Sequence, residues 1–494
     1  MRIWICAWLL LSGTAFGQDI DTASTSDSWT QFRGPRGLGV AAPGAKLPLP
    51  FGLEQNVLWK VGVPEGFSSP CILGKRLFLT GWKGEDLLYF ALNTESGETL
   101  WSRSVKRQGA EQFEHKVSGP AMPTPCTDGE RVYFYFGSYG LIATTIDGEL
   151  VWEKKLPIPK SSFGTATSPI LDGGHLIVVR DGCPEAAVLG LDPKTGEVSF
   201  EIPRTGFIES YTSPFVWQND KRRELVVAGS RTLRSYDLGS GEQLWEVSNT
   251  ALFVCPTPVA TEQMLIFAAW NTMNAEGRER IESIVPVGFE LTEDEVSDGE
   301  RFFARFDENE DGKIEKSELP ESRARDAFDN VDGNKDGFLT AGEIVPFFKL
   351  GRLPGRNILV AVRPGGEGDI SESHVAWTRK RGLPYVASPL IHHGRLYLMK
   401  AGGEISCLAP ETGKAFFERV RLPDHGEYYA SPIGVGNHIV IGADSGRLFV
   451  LKASNELDIV QDIDLGEELV ATPAAIGNRL YVRTAKTMWA FAEK

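Results

Sequence analysis

The chain has 494 residues, 42% of them hydrophobic, with 53 glycines and 29 prolines scattered along it; this is enough apolar material for a large core and favours short strands over long helices. The formal net charge is −15, but residues 290–345 hold 18 Asp or Glu against 7 Lys or Arg, so the remainder is close to neutral. Phosphate backbones need clustered cations, and their absence from this sequence argues against nucleic acid as a partner.

Residues 1–17 read as a secretory signal: Arg2 gives a positive start, Ile3 to Leu11 an apolar run, and Ala15-Phe16-Gly17 a small-x-small cleavage site. The run is too short to span a bilayer and no later stretch reaches 18 apolar residues. The expected product is exported, periplasmic or extracellular, with no membrane span once the signal is removed. Five cysteines then remain, Cys71, Cys126, Cys183, Cys255 and Cys407. An odd, sparse set argues against a disulfide framework, so the core must supply the stability.

After an extension over residues 18–50, a hydroxyl residue followed by proline recurs eight times, at Ser69-Pro70, Thr124-Pro125, Ser168-Pro169, Ser213-Pro214, Thr257-Pro258, Ser388-Pro389, Ser431-Pro432 and Thr472-Pro473. Successive prolines are 55, 44, 45, 44, 131, 43 and 41 residues apart. A hairpin pattern follows seven of the eight, as in Ala474-Ala-Ile-Gly-Asn-Arg-Leu-Tyr-Val. Next comes a strand, a glycine turn and a strand carrying an aromatic, as in Ala91-Leu-Asn-Thr-Glu-Ser-Gly97-Glu-Thr-Leu-Trp101 and Tyr236-Asp-Leu-Gly-Ser-Gly241-Glu-Gln-Leu-Trp245. Four strands every ~40 to 45 residues is the period of a propeller blade. The last hairpin lacks its tryptophan strand, whereas an orphan of that type, Asn56-Val-Leu-Trp59-Lys-Val, sits near the N-terminus. Joining the two closes a mainly β, eight-bladed β-propeller with no exposed edge. The expected divisions are propeller over 51–275, an insertion over 276–350 and propeller again over 351–494.

The Ala-x-Asp-x-x-x-Gly-x-x-x-Trp pattern resembles the pyrroloquinoline-quinone (PQQ) repeat, shared by quinoprotein alcohol dehydrogenases and by non-catalytic periplasmic propellers of outer-membrane assembly. Trp29-Thr-Gln-Phe-Arg-Gly-Pro35 is similar to the lead-in of quinoprotein-like propellers from Planctomycetes. Among the dehydrogenases, the resemblance implies a quinone gripped by adjacent cysteines, stacked on a tryptophan and flanked by calcium and an aspartate base. This sequence has no Cys-Cys pair and no aspartate assignable to that role, which argues against PQQ as a cofactor.

The anomalous spacing of 131 residues contains two tandem matches to a calcium loop. Calcium takes six to eight oxygens, which a twelve-residue loop supplies from positions 1, 3, 5, 7, 9 and 12. The first loop offers Asp307, Asn309, Asp311, the Lys313 carbonyl, Glu315 and Glu318; the second offers Asp332, Asn334, Asp336, the Phe338 carbonyl, Thr340 and Glu343. Gly312 and Gly337 provide the sharp turn, and Ile314 and Leu339 are expected to join the loops through a short β-bridge. Ser297-x-x-Glu300 and Thr340-x-x-Glu343 read as capping boxes, with Phe302, Phe303 and Phe306 on an apolar helix face. These residues predict an EF-hand pair holding two Ca2+ ions.

The segments leading into the Ser/Thr-Pro motifs, among them Glu65, Glu209, Tyr211, Tyr385, His425, Tyr429 and Glu468, would line the mouth of the central funnel. Paired His392-His393 falls in a hairpin turn without a third ligand, and no hydrolase or kinase motif occurs. The sequence therefore reads as a calcium-binding, exported, non-catalytic binding or scaffold protein with a protein or glycan partner at its rim or funnel. Its rivals are a quinone-dependent dehydrogenase and a carbohydrate-binding or carbohydrate-active propeller.

Overall fold

The computed structural model describes residues 27–113, 115–182, 186–204, 207, 209–271, 292, 294–295, 298–320, 325, 328, 332, 335–344 and 355–493. The predicted signal, Cys183, Ser297 and Asn334 lie outside them.

Eight sheets follow one another along the chain, each built on four antiparallel strands that, in blades 1 to 7, run in sequence order from the axis outward. Blades 1 to 4 span Cys71–Lys106, Cys126–Lys155, Ile170–Pro203 and Phe215–Ser248. Blade 5 takes its strands from Val259–Ala260, Leu265–Ala269, Ile358–Val362 and Val375–Arg379, so the insertion leaves between its second and third strands. Blades 6 and 7 span Leu390–Arg421 and Ile433–Asp464. Blade 8 combines Ala474–Ile476, Arg479–Arg483 and Thr487–Ala492 with the N-terminal strand Val57–Gly62, in the register Trp59↔Ala490 and Val61↔Met488. The orphan tryptophan strand thus seals the ring as the sequence predicts.

Two recurrent contacts explain why the repeat has its composition. At the inner end, the hydroxyl of seven of the eight Ser/Thr-Pro motifs accepts a hydrogen bond from the backbone N–H of the same motif one blade back. These bonds run from Ser69 to Thr124, Thr124 to Ser168, Ser168 to Ser213, Thr257 to Ser388, Ser388 to Ser431, Ser431 to Thr472 and Thr472 back to Ser69, all at 2.9–3.0 Å. Farther out, four of the repeat tryptophans lie on the turn glycine of the next blade and donate the indole N–H into that turn. Trp59 bonds the Thr94 carbonyl, Trp101 that of Ile146, Trp152 that of Pro193 and Trp377 that of Pro410, at 2.9–3.0 Å. A Cβ on Gly148 would stand 2.5 Å from the Trp101 ring, and Gly148 has φ 83°, so only glycine fits there.

Both ends of the axis are crossed by chain. At one end Trp29 pairs with Ile72 of blade 1, the Thr30 carbonyl accepts from Thr127 N–H of blade 2, Arg33 reaches the Pro389 carbonyl of blade 6, and Ala41 and Lys46 bond Gly434 and Gly477 of blades 7 and 8. Blades 2 and 6 face each other across an eight-membered ring, so the segment must pass over the axis. At the other end, Glu111 accepts from Thr165 N–H before blade 3 at 3.1 Å, and Lys116 lies 3.6 Å from Asp444 of blade 7, again on opposite sides.

His392 and His393 both approach the Gly436 carbonyl of the next blade at 2.8 Å, which makes them a structural clasp rather than a metal site. Cys71, Cys126 and Cys407 are buried free thiols and Cys255 a half-buried one.

Gly148→Ala should lower stability by about 1–3 kcal/mol through the Trp101 clash, read as a reduced midpoint in urea. Burial lowers the His392 pKa from 6.5 to about 4. A base with a depressed native pKa is neutral in the fold, so its contribution is complete above pH 6.5 and is lost as the pH falls toward 4, by about 2–3 kcal/mol. The difference in unfolding free energy between the protein and His392→Gln should shift by that amount across this window.

Candidate metal centre

The insertion hangs on a clasp of two asparagines. The Asn357 side-chain oxygen accepts from Asn271 N–H, and its amide donates to the Asn271 carbonyl, both at 2.9 Å. The side-chain amide thereby continues the blade-5 ladder by one rung and holds the outgoing and returning strands together.

The helix Gly299–Phe306 enters the first loop. Its N-cap is Asp298, whose carboxylate accepts from Glu300 N–H at 2.9 Å, and not the expected Ser297. Phe302, Phe303 and Phe306 are buried with Ile314, Leu319, Phe328, Leu339 and Ile344 in a core separate from those of the blades. The entering helix has only 8 residues, so this small apolar cluster and the bridge between loops add to its stability.

The two loops repeat one geometry. In the first, the Asp307 oxygens accept from Asp311 and Gly312 N–H at 3.1 and 3.0 Å; in the second, those of Asp332 accept from Asp336 and Gly337 N–H at 3.2 and 2.9 Å. Position 4 has φ 59° at Glu310 and 58° at Lys335, and position 6 has φ 79° at Gly312 and 87° at Gly337. The position-8 residues Ile314 and Leu339 pair antiparallel as expected, followed by Glu315 with Phe338. Lys313 Nζ also lies 4.5 Å from the centre of the Phe338 ring, a cation–π contact between the loops.

At position 12 both glutamates reach back to position 9. Glu318 accepts from Glu315 N–H at 2.7 Å and from Glu308 N–H at 3.2 Å; Glu343 accepts from Thr340 N–H and hydroxyl, both at 2.9 Å. The predicted capping box of Thr340 is therefore formed in its backbone half. Among the described residues no three His, Cys, Asp or Glu side chains converge closely enough to hold an ion by themselves. The carboxylates are instead engaged with backbone N–H groups that shape the loops. The donor set of carboxylates, Asn309 amide and backbone carbonyls is all oxygen and suits a hard divalent cation.

At the loop end of the axis the expected mouth residues Glu209 and Glu468 are joined by Glu111 and Lys116, which the sequence reading missed. Glu111 is buried, and burial raises its pKa despite the bonds around it. Glu468 is raised by burial and by nearby Asp444 and Glu65, with Lys116 opposing. Glu209 takes the N–H of Ser162 and the hydroxyls of Ser162 and Tyr211, so it pins two connections together. The spacing of 55 between Pro70 and Pro125 was the available signal, since its surplus over the usual 44 is the crossing loop that carries Glu111 and Lys116.

Residues 54–162 match the family described as outer membrane protein assembly factor BamB, and residues 300–320 and 324–345 match the EF hand. Polcalcin Nic t 2 from Nicotiana tabacum is 35% identical over 68 residues, 12% of this chain and 79% of the polcalcin. BamB from Moraxella catarrhalis superimposes with a TM-score of 0.52 at 11% identity, over 88% of this chain and 99% of that one. The quinohemoprotein alcohol dehydrogenase from Comamonas testosteroni gives 0.43 at 11% identity, over 96% and 82%. Among the described residues no helix is long and apolar enough to cross a membrane. The insertion thus belongs to the EF-hand family, and the chain is an eight-bladed propeller of pyrroloquinoline-quinone-type repeats that carries this pair within its fifth blade.

Proposed function

We propose that this protein is an exported, non-catalytic propeller that binds two calcium ions in its insertion and presents its rim to a protein or glycan partner. The observation that carries the calcium assignment is the matched geometry of two consecutive loops joined by the Ile314–Leu339 bridge. One ion takes Asp307, Asn309, Asp311, the Lys313 carbonyl, Glu315 and Glu318. The other takes Asp332, Asn334, Asp336, the Phe338 carbonyl, Thr340 and Glu343. Neutralising this acidic module is the first consequence of binding, because the carboxylates no longer repel one another.

The scaffold reading is supported by the crossing of the axis at both ends, by Trp29–Lys46 and by the loop around Glu111 and Lys116, which leaves the outer surface as the larger area for recognition. No redox cofactor is assigned to the axis. Export is supported by the apolar N-terminal run and its small-residue cleavage site, and is consistent with the BamB match.

Isothermal titration with calcium should give two binding events at micromolar to millimolar affinity. Glu318→Gln and Glu343→Gln should each remove or weaken the event of their own loop by roughly tenfold or more, because position 12 normally supplies two oxygens at once. Identical titrations for the protein and both variants would overturn the assignment.

A further inference from the structure

Among the described residues, the joint between blades 4 and 5 is the one that lacks the inner hydroxyl contact found at the seven other joints. Among the described residues, Ser213 N–H makes no bond to the Thr257 hydroxyl, and Thr257 Oγ1 is buried without a partner, as are Ser210 Oγ and Thr250 Oγ1 at the same joint. The indole bond across this joint comes from Trp217, which donates to the Thr261 carbonyl of blade 5 at 2.7 Å, whereas Trp245 bonds Glu224 of its own blade through its indole N–H at 2.6 Å. Blade 5 has no glycine-turn repeat to receive it, because Arg363 to His374 replaces that motif. Unmade hydrogen bonds at the inner end of a buried seam lower the cost of opening it.

Two substitutes appear at this joint. On the outside, Gly368 and Asp369 of blade 5 add to Trp245 and Glu246 of blade 4 as a parallel fifth strand, with Arg222 bonding the Gly366 carbonyl at 2.9 Å. On the loop side, the connection from blade 4 to blade 5, residues 249–257, lies between blade 4 and the neck of the insertion. Blade 4 holds it through Thr250 N–H to the Arg231 carbonyl and Arg231 N–H to the Ala251 carbonyl. The neck holds it through Arg356 N–H to the Thr250 carbonyl and the Asn271 amide to the Phe253 carbonyl, both at 3.2 Å.

We propose that the EF-hand insertion braces the blade 4–blade 5 joint through its Asn271–Asn357 neck, and that calcium tightens the brace. The second half rests on the calcium reading above; the first does not. A module that orders when loaded narrows the motion of its two attached strands, and these bond the connection that lacks its ring contact. Binding and joint closure are then linked, so each favours the other.

The test is hydrogen exchange of the mature protein, comparing residues 249–257 with the equivalent connection before Ser431. With 1 mM calcium, exchange over 249–257 should slow about fivefold or more and the control connection should not change; Glu318→Gln combined with Glu343→Gln should abolish the effect. Replacing 272–356 by a short glycine linker should speed exchange over 249–257 relative to the calcium-free protein while the β-sheet circular dichroism persists. Asn271→Asp, which removes the donor to Phe253, should act in the same direction and serves if the shortened chain does not fold. Calorimetric calcium binding with no change over 249–257 overturns the calcium half of the proposal. Unaltered exchange in both the shortened chain and Asn271→Asp overturns the brace itself, whether or not calcium binds.

Discussion

The structure depends on closing a ring of sheets that cannot bury both faces alone. A four-stranded blade has an apolar surface on each side, and only a neighbour on each side removes both from water. Closure is therefore the constraint from which the rest follows. It is met by strands distant in sequence but adjacent in space, Val57–Gly62 pairing with Thr487–Ala492, and is reinforced by a hydroxyl at the inner end of seven joints and a turn-bound indole farther out at four. Each link is a net contribution of about 1 kcal/mol, yet eight joints in a closed circle share the strain of opening any one of them.

This explains where an insertion can be tolerated. The chain leaves blade 5 at the end of an edge-free inner ladder, and the Asn271–Asn357 clasp restores the missing rung before the acidic module begins. The module has its own core around Phe302 and Leu339, so its charge is not imposed on the blades. The joint next to it is the one where the inner hydroxyl contact fails, and the chain adds there a strand from outside and a neck from above.

Much of this was legible in the residues. The proline spacings gave the blade count, and the orphan Trp59 strand gave the closure, because a missing element at one end and a surplus at the other admit one solution. The two EF-hand loops were equally plain, since their acidic positions and glycine recur at one spacing and both segments match the EF hand. What the sequence could not reveal is which partner a repeated side chain takes. Ser69, Thr124 and Ser168 were visible as markers of hairpins, but their hydroxyls act between blades, and that contact spans 44 or more residues. The path of Trp29 to Lys46 across the axis was hidden for the same reason: its partners are backbone groups, which leave no trace in composition. The N-cap shifted by one residue because Ser297 and Asp298 are both competent caps and spacing alone does not choose between them.

The central claim is that metal binding and the propeller belong to separate modules of one closed ring. Long-wavelength anomalous diffraction from crystals grown with calcium tests it most directly. The account predicts two peaks, one within residues 307–318 and one within 332–343, on a chain whose eight blades circle a common axis. A peak on that axis with none in the loops would contradict it.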